Sequence, residues 1–213
     1  MKHGIDYSLY LCTDRRLMTS PTIEASVESA LRGGTTVIQL REKDCSSREF
    51  YELGLRVKKI TERYNAPLII NDRVDIALAV GAAGVHVGQG DLPCKVVREI
   101  VGPDMIVGVS AATLDEAVQA EEDGADYLGV GAMYATATKT DTRPVSMEEL
   151  LKIRAAVKIP IVVIGGINKQ TLGNFKGTGV DGLAVVSANV PQPGPEAAGK
   201  GIKFRIAPFL KGS

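Results

Sequence analysis

Eight short apolar runs alternate with helical patterns along a chain of 213 residues, and this predicts an α/β protein built as a single-domain (β/α)8, or TIM, barrel. Two further observations carry that reading. A weak internal repeat places Gly at the close of a helix and a small turn before an apolar strand, at Gly81-Ala82-Ala83-Gly84, Gly124-Ala125-Asp126-Tyr127 and Gly179-Val180-Asp181-Gly182. No Pro- or Ser-rich linker divides the chain, and no G-x-G-x-x-G follows the first strand, as an open doubly wound sheet binding a dinucleotide would require. The domain is therefore read as residues 1–213.

The strands are expected at 9–13, 36–40, 68–71, 84–87, 106–109, 127–130, 161–164 and 183–186. Each is a nearly continuous apolar run, as befits strands buried on both faces in a parallel sheet. The second helix is the clearest: Phe50, Leu53, Val57, Ile60 and Tyr64 recur at steps of three and four. Capping boxes mark three helix starts, at Ser46 with Glu49, Thr113 with Glu116 and Ser146 with Glu149. The last unit, within 188–213, is broken by Pro191, Pro193, Pro195, Gly199, Gly201 and Pro208, which disfavour a helix.

Barrel chemistry belongs at the C-terminal ends of the strands. The first strand runs out into Asp14-Arg15-Arg16 and the second through Gln39, Leu40, Arg41, Glu42, Lys43 and Asp44. The third ends in Asn71-Asp72-Arg73, the fourth in Gly88-Gln89-Gly90-Asp91, and the fifth at Ser110. The sixth leads to Thr136-Ala137-Thr138-Lys139, the seventh to Gly165-Gly166-Ile167, and the eighth to Ser187-Ala188-Asn189. Arg15, Arg16, Arg41, Lys43, Arg73 and Lys139 thus gather on one face of a chain with 25 basic and 25 acidic residues, which points to a local anion site. Two hydroxyls and an ammonium beyond a strand suit a phosphorylated small molecule; an ordinary polar loop is the plain alternative.

Neutral overall charge gives no global attraction to nucleic acid or anionic lipid, and 5% aromatic residues with no Trp argue against a base-stacking surface. No apolar run is long enough to span a bilayer, and no apolar signal segment follows Met1, so a cytoplasmic protein is expected. Cys12, Cys45 and Cys94 are odd in number, lack metal-like spacing and read as reduced thiols. Nothing in the sequence sets an oligomeric state.

Asp72 and Asp91 end neighbouring strands, about 4.8 Å apart, and could share one divalent cation such as Mg²⁺. Asp72 could instead cap the helix starting near Arg73. Gly165-Gly166 and the turn at Val186 and Ser187 follow strands seven and eight, whose loops often bind phosphate through backbone N–H groups; a turn needing only positive φ is the alternative. His86 lies within an apolar strand and reads as a satisfied structural histidine. With His3 the only other histidine, no Ser-His-Asp or Cys-His constellation is available.

Seven markers in order, each at a strand end, resemble the thiamine-phosphate synthase family. They are Tyr10 to Asp14, Val37 to Lys43, Ile70 to Arg73, Gly84 to Asp91, Thr136 to Lys139, Ile164 to Ile167 and Val185 to Ser187. The resemblance implies condensation of an aminopyrimidine diphosphate with a thiazole phosphate, releasing pyrophosphate with the help of Mg²⁺. It implies that Gln39, Leu40, Arg41, Glu42, Lys43, Asn71, Ser110 and Lys139 bind the pyrimidine diphosphate. Among these, Arg41, Lys43, Ser110 and Lys139 would act in catalysis. Thr136, Ala137, Thr138, Gly166, Val186 and Ser187 would bind the thiazole phosphate, and Asp72 and Asp91 would hold Mg²⁺. The chain departs from the family at Ala132 and Ala135, where Pro is usual. A related tautomerase-type protein would need neither the Asp72–Asp91 pair nor Thr-x-Thr-Lys, and a non-catalytic regulator would need no leaving-group activation.

Overall fold

The structure is a computed structural model and describes residues 4–134, 144–168 and 170–186. Eight parallel strands close into one barrel in sequence order: β1 (Leu9–Cys12), β2 (Val37–Leu40), β3 (Leu68–Asn71), β4 (Gly84–Val87), β5 (Ile106–Ala111), β6 (Tyr127–Val130), β7 (Ile161–Val163) and β8 (Gly182–Val186). β8 returns to β1 with Leu9 opposite Leu183 and Cys12 opposite Val186. The helices between them are α1 (Ile23–Arg32), α2 (Ser47–Arg63), α3 (Val74–Val80), α4 (Cys94–Val101), α5 (Leu114–Glu122) and α6 (Met147–Ala156). No helix among the described residues is long and apolar enough to cross a membrane.

The predicted strands are all present, and β5 runs two residues past its expected end to include Ser110 and Ala111. The seventh unit differs from the prediction of a regular βα unit. A single 3₁₀ turn, Leu172–Phe175, stands where an α-helix was expected. Gly173, Gly177 and Gly179 crowd this segment, and glycine costs up to about 1 kcal/mol each in a helix interior. Residues 187–213, including the expected last unit, lie outside the described residues.

Two hydrophobic cores follow from strand alternation. Outward-facing residues such as Leu11, Ile38, Leu40, Ile70, Val85 and Leu128 pack with the helices. Inward-facing residues, among them Tyr10, Val37, Ile69, Ile106, Tyr127 and Ala184, fill the barrel. Two glycines make room for rings in that interior. A Cβ at Gly108 would collide with the Tyr127 ring, and one at Gly129 would lie 3.0 Å from Cε1 of His86.

Helix starts show what the paired motifs do. Ser46 and Glu49 form the full reciprocal capping box. The other two are half-boxes: Thr113 and Ser146 accept the N–H groups of Glu116 and Glu149, but those carboxylates turn elsewhere. Glu116 accepts from Ala112 N–H at 2.7 Å, and Glu149 accepts from Leu114 N–H at 2.8 Å, so α6 helps to cap α5.

The internal repeat has a structural cause at the strand entrances. Asp126, just before β6, accepts the N–H of Val107 in β5 and an Arg98 N–H. Asp181, just before β8, accepts the N–H of Ile161 in β7 and an Arg154 N–H. Gly124 and Gly179 take φ of +89° and +78°, and a Cβ on either would press on the stem of that arginine, 3.5 and 3.3 Å away. Glycine here serves both the left-handed turn and the close approach. The first repeat has Ala83 in place of Asp; there Lys58 donates to the Val80 carbonyl.

Candidate active site

A cavity of 140 Å³ opens at the C-terminal end of the barrel. Its wall comes from the inward-facing positions of successive strands: Tyr10 and Cys12, Gln39, Asn71, His86, Ser110, Tyr127 and Gly129. Asp14, Arg41, Gly165 and Val186 complete the upper wall. Four of the expected substrate ligands, Gln39, Arg41, Asn71 and Ser110, therefore face one space, as does Val186 from the expected phosphate cradle.

The floor is neutral and hydrogen-bonded. Gln39 Nε2 donates to the Tyr10 hydroxyl at 2.8 Å, and the Cys12 thiol points to Gln39 Oε1 at 3.4 Å. The hydroxyls of Tyr10 and Tyr127 lie 2.7 Å apart. Tyr127 Oη stands 2.9 Å from His86 Nδ1, and His86 Nε2 stands 2.9 Å from Ser110 Oγ. Burial pushes both phenols well above their ordinary pKa, so they remain protonated. His86 is thus satisfied at both nitrogens, as a structural histidine should be, yet it also forms part of the cavity wall.

The rim is charged and internally paired. Arg41 Nη1 meets Asp14 Oδ2 at 3.2 Å, with Asp14 only 4% exposed. The Arg41 backbone N–H donates to Thr13 Oγ1 at 2.9 Å, so this loop is fixed at both ends of the residue. Lys43 Nζ reaches Asp72 Oδ2 at 2.5 Å. Arg15 pairs with Glu42 at 3.0 Å, and Arg73 with Asp75 at 2.6 Å. Each described cation of the expected anion face already has a carboxylate. Their charge becomes available to a ligand only by sharing or exchange.

Asp72 has φ of +62° and sits one residue before the helix cap position, which Arg73 occupies without a side-chain capping bond. The capping alternative for Asp72 therefore fails; its carboxylate turns to Lys43. Asp91 accepts the Gly88 N–H at 2.7 Å. Its pKa is raised, first by partial burial and further by the adjacent Asp72 carboxylate, against the lowering effect of the Gly88 N–H and Lys43. Two adjacent carboxylates, open to solvent on one side, fit a shared divalent cation completed by phosphate and water. No group of three or more His, Cys, Asp or Glu placed to hold a metal ion occurs among the described residues.

Some expected ligands stand elsewhere. The Leu40 side chain is fully buried in the outer core, so only its backbone can face a substrate. The Glu42 carboxylate is bound by Arg15 and its Oε1 is buried without a partner. Gly166 has φ of +64°, and its carbonyl accepts from Thr171 Oγ1 at 3.0 Å, which anchors the turn after β7. Thr136, Ala137, Thr138, Lys139 and Ser187 lie outside the described residues. Sequence reasoning gave no role to Tyr10, Tyr127 or Asp14. The signal for the tyrosines was the parity of their positions: Tyr10 shares a strand face with Cys12, and Tyr127 with Gly129.

Comparisons with known proteins show the family. The family model described as thiamine monophosphate synthase matches residues 9–189. A thiamine-phosphate synthase of Clostridium beijerinckii is 61% identical over 203 residues, covering 95% of this chain and 97% of the relative. One of Clostridium botulinum is 59% identical over 203 residues, with 95% of each covered. The solved structure of a thiamine phosphate pyrophosphorylase from Pyrococcus furiosus superposes with a TM-score of 0.83 at 42% identity, covering 98% of both chains. By the match along nearly its whole length, the chain belongs to the thiamine monophosphate synthase family.

Proposed function

We propose that this protein joins 4-amino-2-methyl-5-(diphosphooxymethyl)pyrimidine to 4-methyl-5-(2-phosphooxyethyl)thiazole, forming thiamine phosphate and releasing pyrophosphate. The observation that carries the reading is the pairing of a neutral, hydrogen-bonding cavity with a charged rim at the same strand ends. An aminopyrimidine ring suits the first, and a diphosphate suits the second. The fit to curated relatives at about 60% identity supports the same activity, that of a transferase moving an alkyl group in thiamine biosynthesis.

The ring would enter between Gln39, Asn71 and Ser110. The bond from its methylene carbon to the diphosphate oxygen breaks and leaves both electrons on oxygen. The electron-rich pyrimidine carries the positive charge that remains, and the thiazole nitrogen supplies the new electron pair. Arg41 and Lys43 stabilise the charge growing on the leaving group, in a setting where preorganised charges act strongly. Lys139 is assigned the same task, with Thr136, Ala137 and Thr138 beside the thiazole phosphate. Asp72 and Asp91 would hold Mg²⁺ against the diphosphate, where the ion would neutralise part of its charge. Lys43, which pairs with Asp72, stands beside these two carboxylates, where its ammonium would meet the diphosphate. Enclosure by the cavity wall keeps water from the cationic carbon. Gly166, Val186 and Ser187 would cradle the thiazole phosphate.

The direct test supplies both substrates with Mg²⁺ and measures pyrophosphate and thiamine phosphate together. Equal release of the two supports the reading. Pyrophosphate without thiamine phosphate would make the protein a hydrolase, and neither product would reduce it to a binder.

A further inference from the structure

We propose that the buried chain Gln39–Tyr10–Tyr127–His86–Ser110 has a fixed direction, and that it makes Ser110 a hydrogen-bond donor toward the cavity. His86 and Tyr127 are then positioning residues that act through Ser110. The inference rests on the reading above only in taking the pyrimidine diphosphate as the ligand of Ser110.

The direction follows link by link. An amide nitrogen can only donate, so Gln39 Nε2 gives its hydrogen to Tyr10. The Cys12 thiol at Gln39 Oε1 holds the amide in that orientation. Tyr10 is 2% exposed and, among the described residues, its own hydrogen has one acceptor, the Tyr127 hydroxyl at 2.7 Å. Tyr127, 1% exposed, therefore accepts from Tyr10 and must donate to His86 Nδ1. A neutral imidazole that accepts at Nδ1 carries its hydrogen on Nε2. That hydrogen goes to Ser110 Oγ, 2.9 Å away. Ser110 has then accepted one bond, and its remaining O–H faces the cavity that it lines.

Had the chain run the other way, Ser110 would spend its hydrogen on His86 and offer the cavity only lone pairs. It would then repel an anionic or acceptor atom. The buried direction thus selects an acceptor on the substrate before any substrate arrives. The small residues serve this arrangement too: Gly108 admits the Tyr127 ring, and Gly129 admits the His86 ring.

Two measurements test it. Nitrogen NMR of the labelled free protein at neutral pH should show His86 protonated at Nε2 and bare at Nδ1; the opposite tautomer overturns the proposal. The second is a double-mutant cycle on kcat. Ser110→Ala should lower kcat by on the order of 10²-fold, the usual scale for losing one such donor. Tyr127→Phe should lower it about 10-fold alone and less than about 2-fold in the Ser110→Ala background, since residues acting through one group are not additive. Equal losses from Tyr127→Phe in both backgrounds would give Tyr127 a role apart from Ser110 and sink the proposal. If Ser110→Ala leaves kcat intact while both products still form, Ser110 has no bearing on the substrate and the proposal fails with its ligand assignment, not with the overall reaction. Should Tyr127→Phe not fold, His86→Gln and His86→Asn replace it. The Gln amide can reach the Nε2 position and donate to Ser110, whereas the Asn amide cannot; equal kcat for the two overturns the proposal.

Discussion

The two ends of the barrel both carry arginine–aspartate pairs, but they are built to opposite ends. At the strand entrances, Arg98 donates to the carbonyls of Gly102, Met105 and Gly124 as well as to Asp126. Asp126 in turn accepts the Val107 N–H, so a helix, two loops and the strand β5 meet on one ion pair. At the strand exits, Lys43 has the single Asp72 contact, Asp91 sits beside it with a raised pKa, and Glu42 keeps an unpartnered oxygen. The entrance pairs use their hydrogen-bonding capacity within the fold. The exit pairs hold some of it back, as a site that must exchange partners with a ligand requires.

Substitutions at the two ends should therefore separate stability from activity. Asp91→Asn is expected to have the largest effect, a fall in turnover of about 10²-fold or more with Tm essentially unchanged, because it removes half of the proposed metal site without touching the core. Full turnover in this variant, or in excess chelator, would break the contrast. Arg98→Ala should do the reverse. Loss of charge-assisted bonds from a largely buried group costs about 2–3 kcal/mol, read as a lower denaturation midpoint, while kcat per folded molecule stays near that of the parent. A comparable loss of kcat would show that the entrance clamps also govern the site.

Smaller effects sharpen the boundary. Gly166→Ala places a Cβ on a left-handed residue at the exit end, which costs about 1–2 kcal/mol, and obstructs the backbone approach to phosphate. The KM for thiazole phosphate should rise about 10-fold while that for the pyrimidine diphosphate barely moves; equal rises would assign Gly166 to packing. The smallest effect concerns α2, which starts at the exit end but is held by a capping box. The Ser46 N–H and hydroxyl lower the pKa of Glu49, so the unfolded chain binds this proton more readily. The contribution is present above the ordinary carboxylate pKa and is lost as pH falls through the lowered value. Ser46→Ala should lower Tm at neutral pH, with the gap to the parent narrowing in acid; a gap independent of pH would remove Glu49 from the account.

Much of this architecture was legible because parallel strands buried on both faces must be continuously apolar, and all eight were read from that pattern. Arg41, Asn71 and Ser110 were legible because the barrel concentrates chemistry where strands end. Tyr10 and Tyr127 were not, since parity puts each on one face of its strand but, in a run apolar on both faces, does not say which face lines the cavity. Pairing was equally hidden. Lys43 and Asp72 are 29 positions apart and Arg41 and Asp14 are 27 apart, and only the parallel pairing of neighbouring strands brings them together. The 3₁₀ turn after β7 was hinted at by its glycines, but the strand count favoured a regular unit.

The seam between β1 and β8 sets a condition on when this protein can acquire its site. Leu9 to Cys12 wait for Leu183 to Val186, which leave the ribosome last among the strands. Until then β1 has one hydrogen-bonding edge without its final partner, and Tyr10 borders an open sheet. The cavity, lined in part by Ala184 and Val186 of β8, is consequently among the last features to form during synthesis.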